Sequence, residues 1–365
     1  MPSTWWHTLA LPQVRSCGVS MSPAQLKQLK SVITARAVAN PTHLCADLAA
    51  QFGVSRSTMG KWLRGLIDEG WITREGTSRP VYKPAVLRDV SRSYVLAGLD
   101  EQTPWELDFA PCFDLPDHIT RLAHHAFTEL LNNCVDHSGG TRVTVSMRQN
   151  KTHLHLLIRD DGCGVFERIQ NAFQIASPQL ALLELSKGKL TTQPDRHTGR
   201  GLFFTSRLFD VFDLYANQLT YQHSHWQRRD WLKANPLAVS GTAIFMSLAL
   251  NSTRTLDDVF AAHARSSDDR SFSRTEVSMR LAHAPGEQLE SRAQAKRIAN
   301  RLEAFDTVDL DFDGVEAIGQ AFADELFRVF ALQHPRLHMR PRNANARVQA
   351  MIAQVSPVPE AAPSP

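Results

Sequence analysis

Long apolar runs are missing from this 365-residue sequence, and no uninterrupted hydrophobic stretch reaches the ~20 residues that a membrane-spanning helix needs. No membrane partner is therefore expected. Cysteine is scarce as well: Cys17, Cys45, Cys112, Cys134 and Cys163 are odd in number and irregularly spaced, which fits neither a disulfide framework nor a zinc site. A reducing cytoplasm is the simplest home. The N-terminus, MPSTWWHTLALPQVRS, has no basic segment ahead of its short apolar stretch, which argues against a secretory signal. Nor does either sign of charge dominate, with 40 Lys and Arg against 37 Asp and Glu. What remains, 43% hydrophobic and 21% charged over this length, is the composition of a globular protein of two or three domains.

The stretch Phe127 to Ser138, FTELLNNCVDHS, places Glu129, Asn133 and His137 at successive i, i+4 positions, so on a helix they share one face. A carboxylate, a carboxamide and an imidazole on one wall suit a metal–nucleotide complex; a solvated amphipathic helix is the plainer reading. Two runs of period-two hydrophobicity follow, Arg142 to Met147 and His153 to Arg159, and read as neighbouring strands. The second runs into Asp160-Asp161-Gly162-Cys163-Gly164. Further on, Thr198-Gly199-Arg200-Gly201-Leu202 opens an apolar helical stretch expected to reach Phe212, and Ser240-Gly241-Thr242 enters a strand over 243–250. Glycine lets backbone approach a phosphate, and a helix start offers N–H donors to the anion.

This ordered set resembles the GHKL superfamily, the ATPase domain of gyrase, the heat-shock chaperones, histidine kinases and mismatch-repair ATPases. Glu129, Asn133 and His137 match its N box, closest to the form in anti-sigma-factor serine kinases. Asp160, Gly162 and Gly164 match the first glycine box, Gly199 and Gly201 the second, and Gly241-Thr242 the threonine after the lid. The resemblance implies ATP and Mg²⁺ as cofactors. By it, Asn133 ligates the Mg²⁺, Asp160 accepts the adenine amino group, and Gly199, Arg200, Gly201 and Leu202 wrap the phosphates, with His137 and Thr242 completing the ATP site. Glu129 is the side chain suited to act as general base. The polar segment Ser186 to His197 corresponds to the lid, with Lys187, Lys189 and Arg200 as candidate phosphate contacts or else a solvated basic loop.

Residues 21–88 read as three helices and a hairpin, in the manner of a winged helix-turn-helix. This segment holds ten Lys or Arg against four Asp or Glu, a net +6, although the whole chain is only +3. A local positive excess attracts phosphate backbones, so duplex DNA is the expected partner. Arg56, Ser57, Lys61 and Arg64 are free to face a major groove while Leu63, Leu66 and Ile67 anchor the same helix, and Arg74 and Arg79 extend the contact from the wing. A protein-contact role for this module is the alternative.

Prolines 104, 111 and 116 mark irregular chain before a helix starting near Asp117, and His124 and His125 read as ordinary helix residues. The segment Tyr221 to Ala234, with His223, His225, Trp226 and Trp231, reads as a hairpin excursion from the sheet. Beyond Thr253, strand and helix alternate: strands at 275–282, 308–312 and 337–340, helices at 291–305, 320–332 and 345–354. The run AFDTVDLDFDGVEAIGQAFADELFRVF resembles a STAS-like domain, a relative of anti-sigma-factor antagonists and so a candidate protein-partner surface. Where an antagonist presents its phosphoacceptor serine, this chain has Gly319-Gln320-Ala321, with no hydroxyl.

The expected fold is α+β and multidomain: a tail (1–20), a winged helix (21–88), a GHKL (Bergerat) α/β sandwich (89–252), a linker (253–273), a STAS-like α/β domain (274–355) and a disordered tail (356–365). Three functions compete: an ATP-dependent transcriptional regulator, a serine kinase acting on a partner protein, and an ATPase switch in a defence or stress assembly. Whether the chain forms a homodimer is left open.

Overall fold

In the computed structural model, residues 21–191, 199–224, 229–234, 240–264, 271–282 and 287–355 are described. The chain divides into two compact units between Asp89 and Val90. In the first, helices Pro23–Ala39, Leu44–Phe52 and Arg56–Asp68 precede an antiparallel hairpin of β1 (Ile72–Glu75) and β2 (Val81–Pro84). Local chemistry sets these boundaries. Ser22 and Gln25 form a reciprocal capping box, Gly53 takes the left-handed conformation (φ 64°) that ends the second helix, and Ser55 Oγ accepts the Thr58 N–H at 3.1 Å to start the third. Leu29, Ile33, Leu44, Leu48, Met59, Leu63 and Leu66 form the buried centre.

The second unit is built on a seven-stranded sheet. Its strands are β3 (Arg88–Val95), β4 (Arg142–Gln149), β5 (His153–Asp160), β6 (Val211–Ala216), β7 (Leu219–Ser224), β8 (Arg229–Ala234) and β9 (Thr242–Ala249), in the order β3-β4-β5-β9-β6-β7-β8. Pairing from β4 to β8 is antiparallel throughout, and register carries the core in rows. Val145, Ile158, Ile244 and Leu214 form one row and Met147, Leu156, Met246 and Phe212 another, all buried. The Asp117–His137 helix buries Phe127, Leu130 and Leu131, and it packs against the Gly201–Leu208 helix and β5.

A smaller parallel sheet follows, with strand order β10 (Arg274–Ser278), β11 (Thr307–Asp311) and β12 (His338–Arg342). Parallel neighbours need crossovers. Helix Arg292–Ala299 supplies the first and the helical run 320–333 the second, while helix Ala346–Val355 closes the fold.

Several boundaries differ from expectation. The helix after the second glycine box stops at Leu208, because Asp210 ties into β9 through its N–H to the Ser247 carbonyl (2.9 Å) and its Oδ2 to the Ala249 N–H (2.7 Å), so Phe212 enters β6. Of the three prolines before Asp117, Pro116 lies in extended chain as expected, whereas Pro104 ends a short helix and Pro111 lies in a 3₁₀ turn, positions where its fixed φ is tolerated. The strand expected over 275–282 ends at Ser278 and continues as a 3₁₀ turn. The helix expected over 291–305 breaks at Asn300, with Arg301 left-handed (φ 65°) before a second 3₁₀ turn. The hairpin over 221–234 is formed by β7 and β8, with residues 225–228 outside the described residues.

Asn217 and Gln218 join β6 to β7 as a two-residue turn with φ of 47° and 67°, the paired left-handed geometry that matches strand twist. Asn217 also donates to the Cys163 carbonyl (2.8 Å) and accepts the Glu167 N–H (3.1 Å), fastening the first glycine box to the sheet. Replacing it with alanine should cost about 1–3 kcal/mol in urea unfolding, from the left-handed penalty plus two lost bonds. Asn217→Gly should recover only the conformational part; equal stability of all three proteins would show the turn to be unimportant.

Candidate functional site

A cavity of about 300 Å³ opens in the second unit where the long helix, the ends of β5 and β9, and the start of the Gly201–Leu208 helix converge. Phe127 and Leu131 turn one side of the long helix into the core, so Glu129, Asn133 and His137 fall together on the cavity wall. Asp160, Gly164, Gly199, Arg200, Gly201, Leu202 and Thr242 line it too. Gly162 lies behind the wall, packed so closely on the Ser138 carbonyl that a side chain there has no room.

Asp160 holds the floor. It is 4% exposed, and its Oδ1 accepts the backbone N–H groups of Gly162 (2.9 Å) and Thr242 (3.2 Å). Oδ2 has only the Cys134 thiol nearby, 3.9 Å away, among the described residues. Thr242 Oγ1 in turn accepts the Val165 N–H (2.9 Å), which sets the start of the helix Val165–Phe173 beside the cavity. The adjacent carboxylates are pushed in opposite directions. Burial raises the Asp160 pKa, whereas hydrogen bonds from the Arg142 and Thr141 N–H groups and the Thr141 hydroxyl hold Asp161 at about 2. Asp161 is thus a structural clasp, and Asp160 is the carboxylate that lines the cavity.

Glycine is required on the far side. Gly201 leaves the space that the Glu129 carboxylate fills, and Gly199 (φ 66°) packs against the backbone of Leu190, where a Cβ would stand only 2.6 Å away. Among the described residues no side chain caps the Gly201–Leu208 helix, and an uncapped helix start is a place where N–H groups can meet an anion.

Arg168 also faces the cavity, a residue the motif reading missed. It stands four residues beyond Gly164, one helical turn into the helix that the glycine box opens, a spacing that could have drawn attention to it. The Nε atoms of Arg168 and Arg200 are both buried without a hydrogen-bond partner among the described residues. Unpaired guanidinium nitrogens beside an uncapped helix start suit a polyanion.

Lys187 is not brought to this cavity. It is 0% exposed, and its Nζ donates to Glu184 Oε1 (2.6 Å) on its own helix and, in the C-terminal segment, to the carbonyls of Asn300 (2.8 Å) and Arg297 (3.3 Å). Burial lowers its pKa, against the opposing pull of Glu184. Lys189 turns the same way, donating to the Ala304 carbonyl (2.6 Å) and standing over the Phe305 ring. The reason is the Pro178–Lys187 helix, which extends the fold through Lys187 where a solvated loop was expected. Residues 192–197 of the expected lid, with Thr198 after them, lie outside the described residues. In the first unit Arg56, Ser57, Lys61, Arg64, Arg74 and Arg79 are all exposed, on the third helix and the hairpin.

The family model for histidine kinase-, DNA gyrase B- and HSP90-like ATPases matches residues 118–224, and that for a STAS-like domain of unknown function (DUF4325) matches residues 294–349. No curated protein matches the chain. The chain therefore carries a GHKL-type ATPase domain, which implies ATP binding, usually with Mg²⁺, followed by a STAS-like domain. The cavity residues fit such a ligand: glycines make close approach free of clashes, two guanidinium nitrogens lack partners, and the Asn133 carboxamide makes no hydrogen bond among the described residues. No helix among the described residues is long and apolar enough to cross a membrane.

Because burial raises the folded-state pKa of Asp160, ionisation destabilises the empty protein above that pKa and not at acid pH. Asp160→Asn should therefore match or exceed the wild-type Tm at pH 7, with the difference vanishing as pH falls. The same variant should lose the upward Tm shift that saturating ATP gives the wild type. A wild-type-sized ATP shift in Asp160→Asn would remove Asp160 from the ligand site.

Proposed function

We propose that this protein is an ATP-binding and ATP-hydrolysing regulator in which nucleotide state sets the affinity of the N-terminal unit for duplex DNA. The observation that carries the nucleotide half is the convergence of Glu129, Asn133, Asp160, Gly199 to Gly201 and Thr242 on one cavity from four separate segments of chain. Asn133 is the residue that would hold Mg²⁺, through one carboxamide and the nucleotide's own phosphates, a mode this metal favours over an all-protein cage. The ion supplies charge neutralisation at the phosphates. Asp160 Oδ2 accepts the adenine amino group, its carboxylate oriented by the two N–H bonds on Oδ1. Arg168, Arg200 and the uncapped helix start meet the phosphate charge. Glu129 is the base that polarises the attacking water, and the small side of Gly201 is what admits its carboxylate.

The DNA half rests on the net +6 of residues 21–88 and on six exposed side chains of the third helix and hairpin, an arrangement that reads as a winged helix-turn-helix. Leu63 and Leu66 are buried on the same helix, which leaves Arg56, Ser57, Lys61 and Arg64 for a groove. Phosphate transfer to the chain's own STAS-like domain is disfavoured, because the Gly319-Gln320-Ala321 stretch has no hydroxyl where STAS-like antagonists carry theirs.

Two measurements test these halves separately. With γ-labelled ATP, Glu129→Ala should keep ATP affinity while phosphate release falls by roughly 10²-fold or more, and Asn133→Ala should lose Mg²⁺-dependent binding. Label recovered on protein instead of as free phosphate would replace the hydrolase reading with a kinase. For the second half, duplex DNA binding is titrated against salt with and without a non-hydrolysable ATP analogue. Affinity should change about 5- to 150-fold between nucleotide states, and the Arg56→Ala/Lys61→Ala double variant should flatten the salt dependence. Absence of duplex binding at any salt would make the first unit a protein-contact module.

A further inference from the structure

The segment joining the Pro178–Lys187 helix to the cavity is held by the STAS-like domain through a dense buried contact. Arg301 donates to Glu184 Oε2 (3.0 Å) and to the carbonyls of Gly188 (3.1 Å) and Lys189 (2.6 Å), so one guanidinium grips helix end and turn together. Lys187 reaches the other way, to the carbonyls of Asn300 and Arg297, and Thr275 Oγ1 donates to the Lys187 carbonyl at 2.7 Å. Glu184 thereby lies between two cations, its side chain 7% exposed and that of Lys187 0%.

Backbone geometry marks the same contact. Lys189 and Arg301 are both left-handed, with φ of 54° and 65°, and neither is glycine. Such conformations cost free energy and persist where surrounding bonds over-determine them. Gly188 (φ 80°), just before Lys189, lies so close to the Phe272 and Phe203 rings that a Cβ has no room. The chain then passes directly into the cavity wall, since Leu185, Leu190, Thr191 and Phe203 all line it and Gly199 rests on the Leu190 backbone.

We infer that the STAS-like domain is a built-in clamp on the nucleotide site: Arg301 and Lys187 act as positioning residues that hold the lid-bearing segment 184–191 against the cavity, and loosening the clamp weakens nucleotide binding. The inference rests on the ATP-binding reading of the cavity. It gives the C-terminal domain a regulatory role that needs no phosphorylated serine. The contact uses Thr275 and residues 297–305, whereas Gly319 packs beside Glu290 and receives no bond from the lid segment among the described residues. A partner that binds the STAS-like domain and draws residues 297–305 away would release the lid segment, and ATP would oppose it.

The test uses full-length protein, with ATP affinity by calorimetry, steady-state phosphate release, and hydrogen exchange over residues 178–191. Arg301→Ala should raise the ATP Kd about 5- to 150-fold, within the usual range of coupling, with a smaller effect on kcat than on KM. It should also speed exchange over residues 178–191. Arg301→Lys keeps the charge facing Glu184 but cannot span both carbonyls, so it should recover part of the affinity. If Arg301→Ala does not fold, Thr275→Val, which removes only the hydroxyl donated to Lys187, carries the measurement and should shift KM in the same direction. Folded variants that bind ATP within twofold of wild type, whatever their Tm, overturn the clamp. Wild-type protein that binds no ATP overturns both the clamp and the reading beneath it.

Discussion

Two backbone hydrogen bonds to one oxygen hold the cavity together. By accepting the N–H groups of Gly162 and Thr242, Asp160 Oδ1 joins the turn after β5 to the start of β9, and Thr242 passes the connection on to Val165. A buried carboxylate is expensive to keep charged, so a 4% exposed aspartate is tolerable only where such donors compensate. The same bonds orient its second oxygen. Strand order supports the arrangement: β5 and β9 are neighbours at the middle of the seven-stranded sheet, and their ends form a rigid floor. Gly241 (φ 80°) lies directly against the Asp160 carbonyl, which leaves that turn no room for a side chain.

Around this floor, charge is divided between two environments. Facing the cavity are guanidinium groups, at Arg168 and Arg200, whose buried Nε atoms have no partner among the described residues. Behind it lie Glu184, Lys187 and Arg301, whose charges are satisfied by one another and by carbonyl oxygens. Buried ionic groups of the second kind add little net stability compared with apolar packing, and removing one partner strands the others. Their value is geometric: they specify one position of the segment that carries Leu190 and Thr191 to the cavity. A third group, Asp309 with Arg274, Arg340 and Arg342, joins all three strands of the parallel sheet, with the carboxylate pKa held low by the arginines.

Much of the site was legible from spacing alone. Glu129, Asn133 and His137 share a face because 3.6 residues make a turn, and the glycines announce close approach wherever a Cβ would collide, as at Gly199, Gly201 and Gly241. Arg168 was missed because arginine in a helix is ordinary, and nothing local says that its Nε is buried. Lys187 was misassigned for the complementary reason. A lysine beside a glycine in a polar stretch has the composition of a phosphate-binding loop, and only a partner more than 100 residues away turns it inward, as Asn300 does.

What the sequence by itself determined is therefore whatever depends on local geometry: helix caps at Ser22 and Ser55, the alternation that makes β4 and β5 strands, the order of the glycine boxes, and the concentration of positive charge before residue 89. Tertiary structure decided which cations meet the cavity and which are consumed in holding it. Asp160 and Asp161 show the division most simply, two identical side chains in succession whose pKa values move in opposite directions. Local spacing places both beside the glycine turn, but burial and hydrogen-bond donors come from Thr141, Arg142 and Thr242, which only folding brings near.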